Sequence, residues 1–582
     1  MENNKHAKKA WKNPSWRPTV VGRSHAVSTG HYLATLAAQR VLDAGGNAID
    51  AGVTAAMALA VLSPDIVSFA GVAPTLIYLK AEDRVVSLAG LGYWPAATDV
   101  ERLRREGNGV VPEGILCTVI PAAPATHIEA LRRWGTISFE QAAKPAFELT
   151  RDGFAIYPLL NHYIERNTAK YKRYPENRAV FLPDGTAPPV GALFRQENLS
   201  ATINRMIEAE RACRGDRDAK LRAVHDCFYR GSIAADIAAF HERENGFLTR
   251  DDLAGFEVPV ESSISATYKG YTVHSCDVWC QGIVLLETLK TLEGIDLRTL
   301  GLNSPAYVHI VAEALNLAFA DREAYVGDPK FNQVPVAGML SDAYAATQRA
   351  RIRTDRAFGA MPEPGKPAGA PQLRHKLPAA ASGKVPVAKD TIYACATDSF
   401  GNAYSATLSD PSYDTPMIAG MGLAVSSRGS QSRLEPGHPS LVAPGKRPRL
   451  TPNPALALKD GKFFMAFGTP GGDVQSQSML QVFLNVVEFG LPVQQAIESP
   501  RFGTFSFPNS FSPNEYLPGR LCVESRLGPD TIGQLTRLGH DIEVWEDAVS
   551  TCGAVCAIRR DPATGMFHAG ADPRREAYAL AW

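Results

Sequence analysis

The stretch Lys389-Asp390-Thr391-Ile392-Tyr393-Ala394-Cys395-Ala396-Thr397 ends a tract rich in Pro, Ala and Gly and turns abruptly strand-like. Residues 392–397 are β-branched, aromatic or small and apolar. Asp398-Ser399-Phe400-Gly401 then supplies turn chemistry, and Ala403–Ser409 reads as a second strand. Gly401 suits the left-handed position of a short hairpin loop. A hairpin centred near Phe400 sets Thr391 opposite Ser409, where facing β-carbons lie about 4.5–5.5 Å apart. Cutting the peptide bond between Asp390 and Thr391 would free an α-amine to serve as base for the threonine's own hydroxyl. Ser409 would orient that nucleophile. The same spacing also fits a core hairpin with two polar strand ends.

The chain has 582 residues, 45% of them hydrophobic and 21% charged, which predicts a globular protein of one large or two intimately packed domains. Sixty basic residues balance sixty acidic ones, so no global field points to nucleic acid or an anionic membrane. Residues 1–18 are polar and basic without an apolar core, which predicts no secretory signal. No apolar run spans a bilayer, and cytoplasmic location is the expectation. Nine cysteines in so long a chain do not read as a disulfide scaffold. Cys276/Cys280 and Cys552/Cys556 lack a compact His cluster, so buried free thiols are expected and no metal.

Working outward, residues 31–42 and a segment starting near Asn47 read as helices separated by Gly45-Gly46. The second carries Ile49, Val53, Ala56, Met57 and Ala60 on one side, with alanines that permit close approach to a sheet. Thr75–Leu79 and 268–273 read as strands, and 138–149, 213–226, 307–324 and 476–489 as helices. Ala455–Lys459 and 463–467 read as a strand pair. Residues 1–20 are expected to be a flexible tail. The prolines of 361–386 predict a linker, or the tail left by a chain cut. The loose alternation of strands and helices indicates an α+β fold.

Several motifs, in order, resemble the γ-glutamyltranspeptidase family. They are Gly45-Gly46-Asn47-Ala48-Ile49-Asp50-Ala51; Thr391 with Asp398 and Gly401-Asn402-Ala403; Ala443-Pro444-Gly445-Lys446-Arg447-Pro448; Gly468-Thr469-Pro470-Gly471-Gly472; Ser499-Pro500-Arg501-Phe502; and Ala571-Asp572-Pro573-Arg574. The resemblance implies an N-terminal-nucleophile hydrolase with a four-layer αββα sandwich. It implies a precursor that cuts itself into a large subunit, 21–390, and a small one, 391–582. These stay associated, and a higher oligomer is allowed. It further implies that Thr391 attacks an amide carbonyl to give an acyl-enzyme, with Gly471 and Gly472 binding the oxyanion and no cofactor needed. Consecutive glycines suit that task because backbone N–H groups can then approach closely.

The substrate grip departs from the family. The usual arginine before an Ala-Pro element is replaced by Gly92-Tyr93-Trp94-Pro95, and a Ser-Ser pair by Leu450-Thr451. An asparagine two residues past the Ser409 position is Pro411, and Ser426-Ser427-Arg428-Gly429-Ser430-Gln431 stands where an Asn/Asp-rich run is usual. Ala70-Gly71-Val72-Ala73 replaces a glycine-rich element, and Ile392 a second threonine. Losing both partners of a zwitterion costs several kcal/mol. The pattern therefore resembles a divergent branch that includes oxamate amidohydrolase-like and cephalosporin-acylase-like members. Arg428 is a candidate partner for a substrate carboxylate, or else a surface arginine. Ser427, Thr451, Asp473 and Gln475 are further binding candidates, the last two alternatively capping the next helix. The expected activity is hydrolysis of a small carboxylate-bearing or N-acyl amide. A γ-glutamyltransferase or glutathione hydrolase with an altered pocket, and an unprocessed binding protein on the same fold, are the alternatives.

Overall fold

Strand Thr391–Thr397 sits inside a seven-stranded sheet, flanked by Ala26–Thr29 on one side and Ala403–Ser409 on the other. Ala403–Ser409 in turn pairs with Thr75–Leu79, and Arg84–Leu88 and Val260–Ser262 extend that edge. The computed structural model describes residues 15–373, 375 and 391–582. A second seven-stranded sheet carries the hairpin Ala455–Lys459/Lys462–Gly468, with Cys556–Arg560, Phe567–Ala571 and Val20–Gly22 beyond one strand and Tyr271–Ser275 and Ile264–Tyr268 beyond the other.

Side-chain alternation decides which layer each sheet face meets. Ile392, Ala394 and Ala396 pack with the helices Tyr32–Asp43 and Ala48–Leu62, whereas Tyr393 and Cys395 share a core with Leu456, Ala466 and Ile558 of the facing sheet. Helices Gly282–Leu292, Pro305–Tyr325 and Gln475–Val487 cover the outer face of the second sheet. The order is helices, sheet, sheet, helices, the four-layer αββα sandwich expected. Two glycines permit the close approach. A Cβ on Gly52 would lie 2.1 Å from the Tyr404 ring, and one on Gly468 2.2 Å from Tyr393.

Several elements differ from their sequence reading. Helix Ala48–Leu62 is buried on every side rather than along one stripe, because the helices Phe139–Asp152 and Ala123–Trp134 close over its outer face. The single strand read at 268–273 is a hairpin, Ile264–Tyr268 and Tyr271–Ser275, turning at Lys269 (φ 45°) and Gly270 (φ 83°). The charged helix runs Arg217–Tyr229 behind an Asp216 cap. Within the expected tail, the backbone N–H groups of Trp16 and Arg17 donate to the Glu498 carboxylate at 2.5 and 2.9 Å, so the chain is anchored before its first strand. The start of the Pro-rich tract is anchored too: Arg351 donates to the Glu363 carbonyl at 2.6 Å and Tyr325 to that of Gly365 at 2.7 Å. Residue 374 and residues 376–390, which hold the end of that tract and Asp390, lie outside the described residues. All nine cysteines are free thiols. No helix among the described residues is long and apolar enough to cross a membrane.

Candidate active site

Thr391 is the first residue of its strand and pairs in register with Ser409, the last residue of the neighbouring one. As an odd-numbered position it faces the inter-sheet side with Tyr393 and Cys395. Its Oγ1 lies 3.1 Å from Ser409 Oγ and accepts from Gln475 Nε2 at 3.4 Å. Ser409 Oγ accepts a short hydrogen bond from Arg428 Nη2. Strand, turn and helix start thus converge on one hydroxyl pair, and Thr391 is only 1% exposed. The register arises because the loop at Gly401 (φ 90°) closes where the sequence places glycine.

Arg428 is fully buried, which corrects its surface alternative. Burial is tolerable because a carboxylate faces it: Asp410 Oδ1 lies 3.3 Å from Arg428 Nε. Asp410 also accepts from the Ser427 N–H at 2.8 Å, the Ser427 hydroxyl at 3.0 Å and the Ser426 hydroxyl at 2.7 Å. Its φ of 109° is a strained conformation for a residue with a Cβ, held by these contacts. Gly71 presses on the same point, since a Cβ there would meet the Ser409 carbonyl oxygen at 2.3 Å.

The 3₁₀ turn Arg428–Gln431 carries a second link, from Gln431 Nε2 to Thr451 Oγ1 at 2.7 Å. Trp94 lies in the Gly92-Tyr93-Trp94-Pro95 stretch, which carries no arginine. Its indole N–H donates to Ser432 Oγ at 2.9 Å, and a Cβ on Gly429 would lie 2.6 Å from its ring. An aromatic plate therefore backs the turn that presents Arg428.

Gly471 (φ 121°) and Gly472 (φ 57°) form the turn before helix Gln475–Val487. Neither N–H donates to another group among the described residues. The Gly472 carbonyl accepts from Gln281 Nε2 at 3.0 Å, and the same amide reaches the Thr451 carbonyl at 3.1 Å. Gln281 Oε1 accepts from the buried Arg322 at 2.9 Å. Asp473, read as a binding candidate, is instead a strut. Its oxygens take a bond from Arg322, the Ser510 hydroxyl at 2.6 Å and the Ser510 N–H at 2.8 Å. Nor does it cap the helix, which starts without a side-chain cap. Gln475 is the first residue of that helix and reaches Thr391 Oγ1.

One residue past Arg322, Glu323 binds Arg433 and Arg449, each at 2.7 Å, and His438 at 3.0 Å. Burial alone would raise its carboxyl, but the two guanidinium groups prevail and hold it well below the usual range. Burial lowers His438 to about 3, so it stays neutral and donates from Nε2.

The structure thus brings Thr391, Ser409, Arg428 and Gln475 together, sets Ser427 and Thr451 beside them, and turns Asp473 away. Asp410, Gln281, Arg322 and Gln431 support the site without having been singled out from the sequence. Asp410 alone carried a signal, an acidic residue directly after Ser409 and before Pro411.

A family model described as gamma-glutamyltranspeptidase matches residues 34–582. The glutathione hydrolase-like YwrD proenzyme of Bacillus subtilis (strain 168) is 29% identical over 566 residues, covering 97% of this chain and 99% of that protein. The acylase ACY 1 proenzyme of Pseudomonas sp. (strain SE83) is 30% identical over 498 residues, 83% of each chain. Among solved structures, cephalosporin acylase from Bacillus halodurans superposes with a TM-score of 0.85 at 28% identity, covering 99% of both chains.

Proposed function

The chain belongs to the gamma-glutamyltranspeptidase family, and from that premise we propose a self-processing threonine amidohydrolase acting on a small carboxylate-bearing amide, oxamate-like or N-acyl. One observation carries the substrate class: Arg428 is buried with Nη2 on Ser409 Oγ, one hydrogen bond from the Thr391 hydroxyl. A guanidinium held there meets an anionic group close to the scissile bond.

Processing begins when Thr391 Oγ1 attacks the Asp390 carbonyl carbon. The peptide C–N bond breaks, its nitrogen becomes the α-amine of Thr391, and water opens the resulting ester. In the mature enzyme this amine takes the Thr391 hydroxyl proton as Oγ1 attacks the substrate amide. An α-amine titrates near pH 7.7–8.0 in model compounds, roughly where such a base works best. The Gly471 and Gly472 N–H groups receive the oxyanion. The amine then passes its proton to the departing nitrogen, and water or an acceptor amine takes the acyl group. Ser409 and Gln475 fix the nucleophile's rotamer. The polypeptide becomes a large subunit ending at Asp390 and a small one starting at Thr391.

The similar proteins include one named a glutathione hydrolase-like proenzyme and others named acylases. The buried Arg428 and the departures from the family's zwitterion grip at 92–95 and Pro411 support the acylase-like substrate over a γ-glutamyl one. An assay of oxamate, N-acyl amides bearing a carboxylate, and γ-glutamyl anilides tests this. Release from the first two classes is expected; faster γ-glutamyl release would reverse the substrate assignment. A single full-length band on a denaturing gel of the unaltered protein would instead support an unprocessed binding protein.

A further inference from the structure

Far from Thr391 in the fold, His309 and Glu313 occupy successive turns of helix Pro305–Tyr325, and His540 approaches them from the loop before strand Asp541–Trp545. All three are buried, and one ligand atom from each lies within 4.8 Å of the other two. Helical spacing of four residues puts the first two side chains on one face. His309 Nε2 lies 2.6 Å from the Arg353 carbonyl oxygen, which can only accept, so this nitrogen carries the proton. That leaves the Nδ1 lone pair aimed at His540 Nε2, 2.8 Å away. A backbone carbonyl fixing the outer nitrogen of an imidazole is the usual support of a metal-ligating histidine.

Glu313 completes the set. Its oxygens accept from the Phe358 N–H at 2.7 Å and the Asn316 amide at 3.0 Å. No cationic side chain pairs with it among the described residues. Asp355, the other acid that acts on His309, has the Arg353 guanidinium as its partner at 2.9 Å. The cluster therefore lacks positive charge.

We propose that His309, Glu313 and His540 form a binding site for a divalent transition metal of zinc-like preference, with water in the fourth position. Two imidazole nitrogens and one carboxylate oxygen are a donor set for Zn²⁺. Nitrogens bound tetrahedrally at about 2.0–2.1 Å lie roughly 3.3 Å apart, so the rings must part by about 0.5 Å. The site is structural. Thirteen helical steps lead from His309 to Arg322, which holds the Asp473 turn, a span of about 20 Å. This reverses the sequence-based expectation of no metal. The third ligand lies 231 residues from the first, beyond the reach of any spacing motif. If processing at Thr391 occurs, as proposed above, the ion joins the two subunits, because His540 then belongs to the small one. Binding itself does not depend on that step.

Zn²⁺ titration of the chelator-treated full chain by calorimetry tests the site, with Co²⁺ absorption reporting coordination. His540→Gln is the discriminating variant, since its amide can still donate to His309 Nδ1 while being a poor ligand. His162→Ala removes an exposed histidine and serves as control. About one Zn²⁺ per chain is expected for the unaltered protein and the control, with a rise in Tm. His540→Gln should lose at least 100-fold in affinity, because even outer-sphere changes typically cost 10–100-fold. Absence of binding to the folded unaltered chain, or equal binding by His540→Gln, overturns the proposal. Running the titration on Thr391→Ala as well separates it from processing: an uncut chain should bind Zn²⁺ as well as a cut one.

Discussion

The Thr391–Ser409 hairpin and the turn facing it are built by different physics. Residues 391–409 are fixed by backbone: the ladder to Ala403–Ser409 runs seven residues, and neighbouring strands hold both sides. The Arg428–Gln431 turn and its neighbours are fixed by charge. Arg428 needs Asp410, Arg433 and Arg449 need Glu323, and Arg322 needs Asp473. A ladder spreads its energy over many equivalent bonds, so trimming one side chain leaves the register intact. A buried ion pair concentrates it, and removing one partner strands the other. Damage to the hairpin should therefore be catalytic, and damage to the turn structural as well.

Thr391→Ala tests the first half most severely. Processing should stop, leaving one band, and amide hydrolysis should fall by roughly 10⁴-fold or more, the scale seen when a catalytic nucleophile is lost. The melting temperature should hardly move, since alanine keeps the ladder. A large loss of stability would break the contrast between the regions.

Arg428→Met tests the second half. It leaves Asp410 buried without its cation and should destabilise the fold by about 3–5 kcal/mol, read by chemical denaturation. Adding Asp410→Asn should recover most of the stability but not the turnover. If Arg428→Met alone unfolds no more easily than the parent, the turn does not depend on the pair. A further blow of about 2.7–4 kcal/mol to the barrier, 10²–10³ in rate, is expected for Gly471→Ala. Its φ of 121° forbids a side chain without moving the N–H groups.

Acid sharpens the comparison without mutation. The folded-state values of Glu323 and His438 are both lowered, so in each case the unfolded chain binds more protons. The His438 contribution is complete above about pH 6.5 and is lost as pH falls from there toward about 3. That of Glu323 is lost below the ordinary carboxylate range, about pH 4.3. The turn should loosen before the hairpin, seen as earlier hydrogen exchange at 428–451 than at 391–409. His438→Gln should flatten stability over pH 4–6 by up to a few kcal/mol; an unchanged profile would mean the buried imidazole is not what acid attacks.

The same division explains what was legible. The Thr391/Ser409 register followed from two-residue alternation and one glycine, both local properties. The four layers followed only from motif order resembling a known family, while the alanine-rich helices by themselves indicated close packing on a sheet. Asp473 and Arg322 lie 151 residues apart, and Arg433 and Glu323 are separated by 110. Nothing local distinguishes such residues from solvated charges, so Asp473 could be read only as a binding candidate or a helix cap, and Arg428 could not be told from a surface arginine. Even the hairpin at 264–275 was missed in part, because Lys269-Gly270 is a weak turn signal inside an otherwise continuous strand-like run.

The smallest predicted effect falls where the two regions touch. Ser409 belongs to the hairpin by backbone and to the turn by side chain, since its hydroxyl bridges Thr391 Oγ1 and Arg428 Nη2. Ser409→Ala removes two hydrogen bonds but no charge and no ladder bond. At about 0.5–1.5 kcal/mol for each such bond, kcat should drop by roughly tenfold while stability changes little. Processing should slow in parallel, because the same hydroxyl orients Oγ1 toward the Asp390 carbonyl, and a time course of band conversion measures it. Equal slowing of both reactions would place Ser409 with the nucleophile. A rise in KM with processing untouched would place it instead with the substrate grip, shifting the boundary between the regions by one strand end.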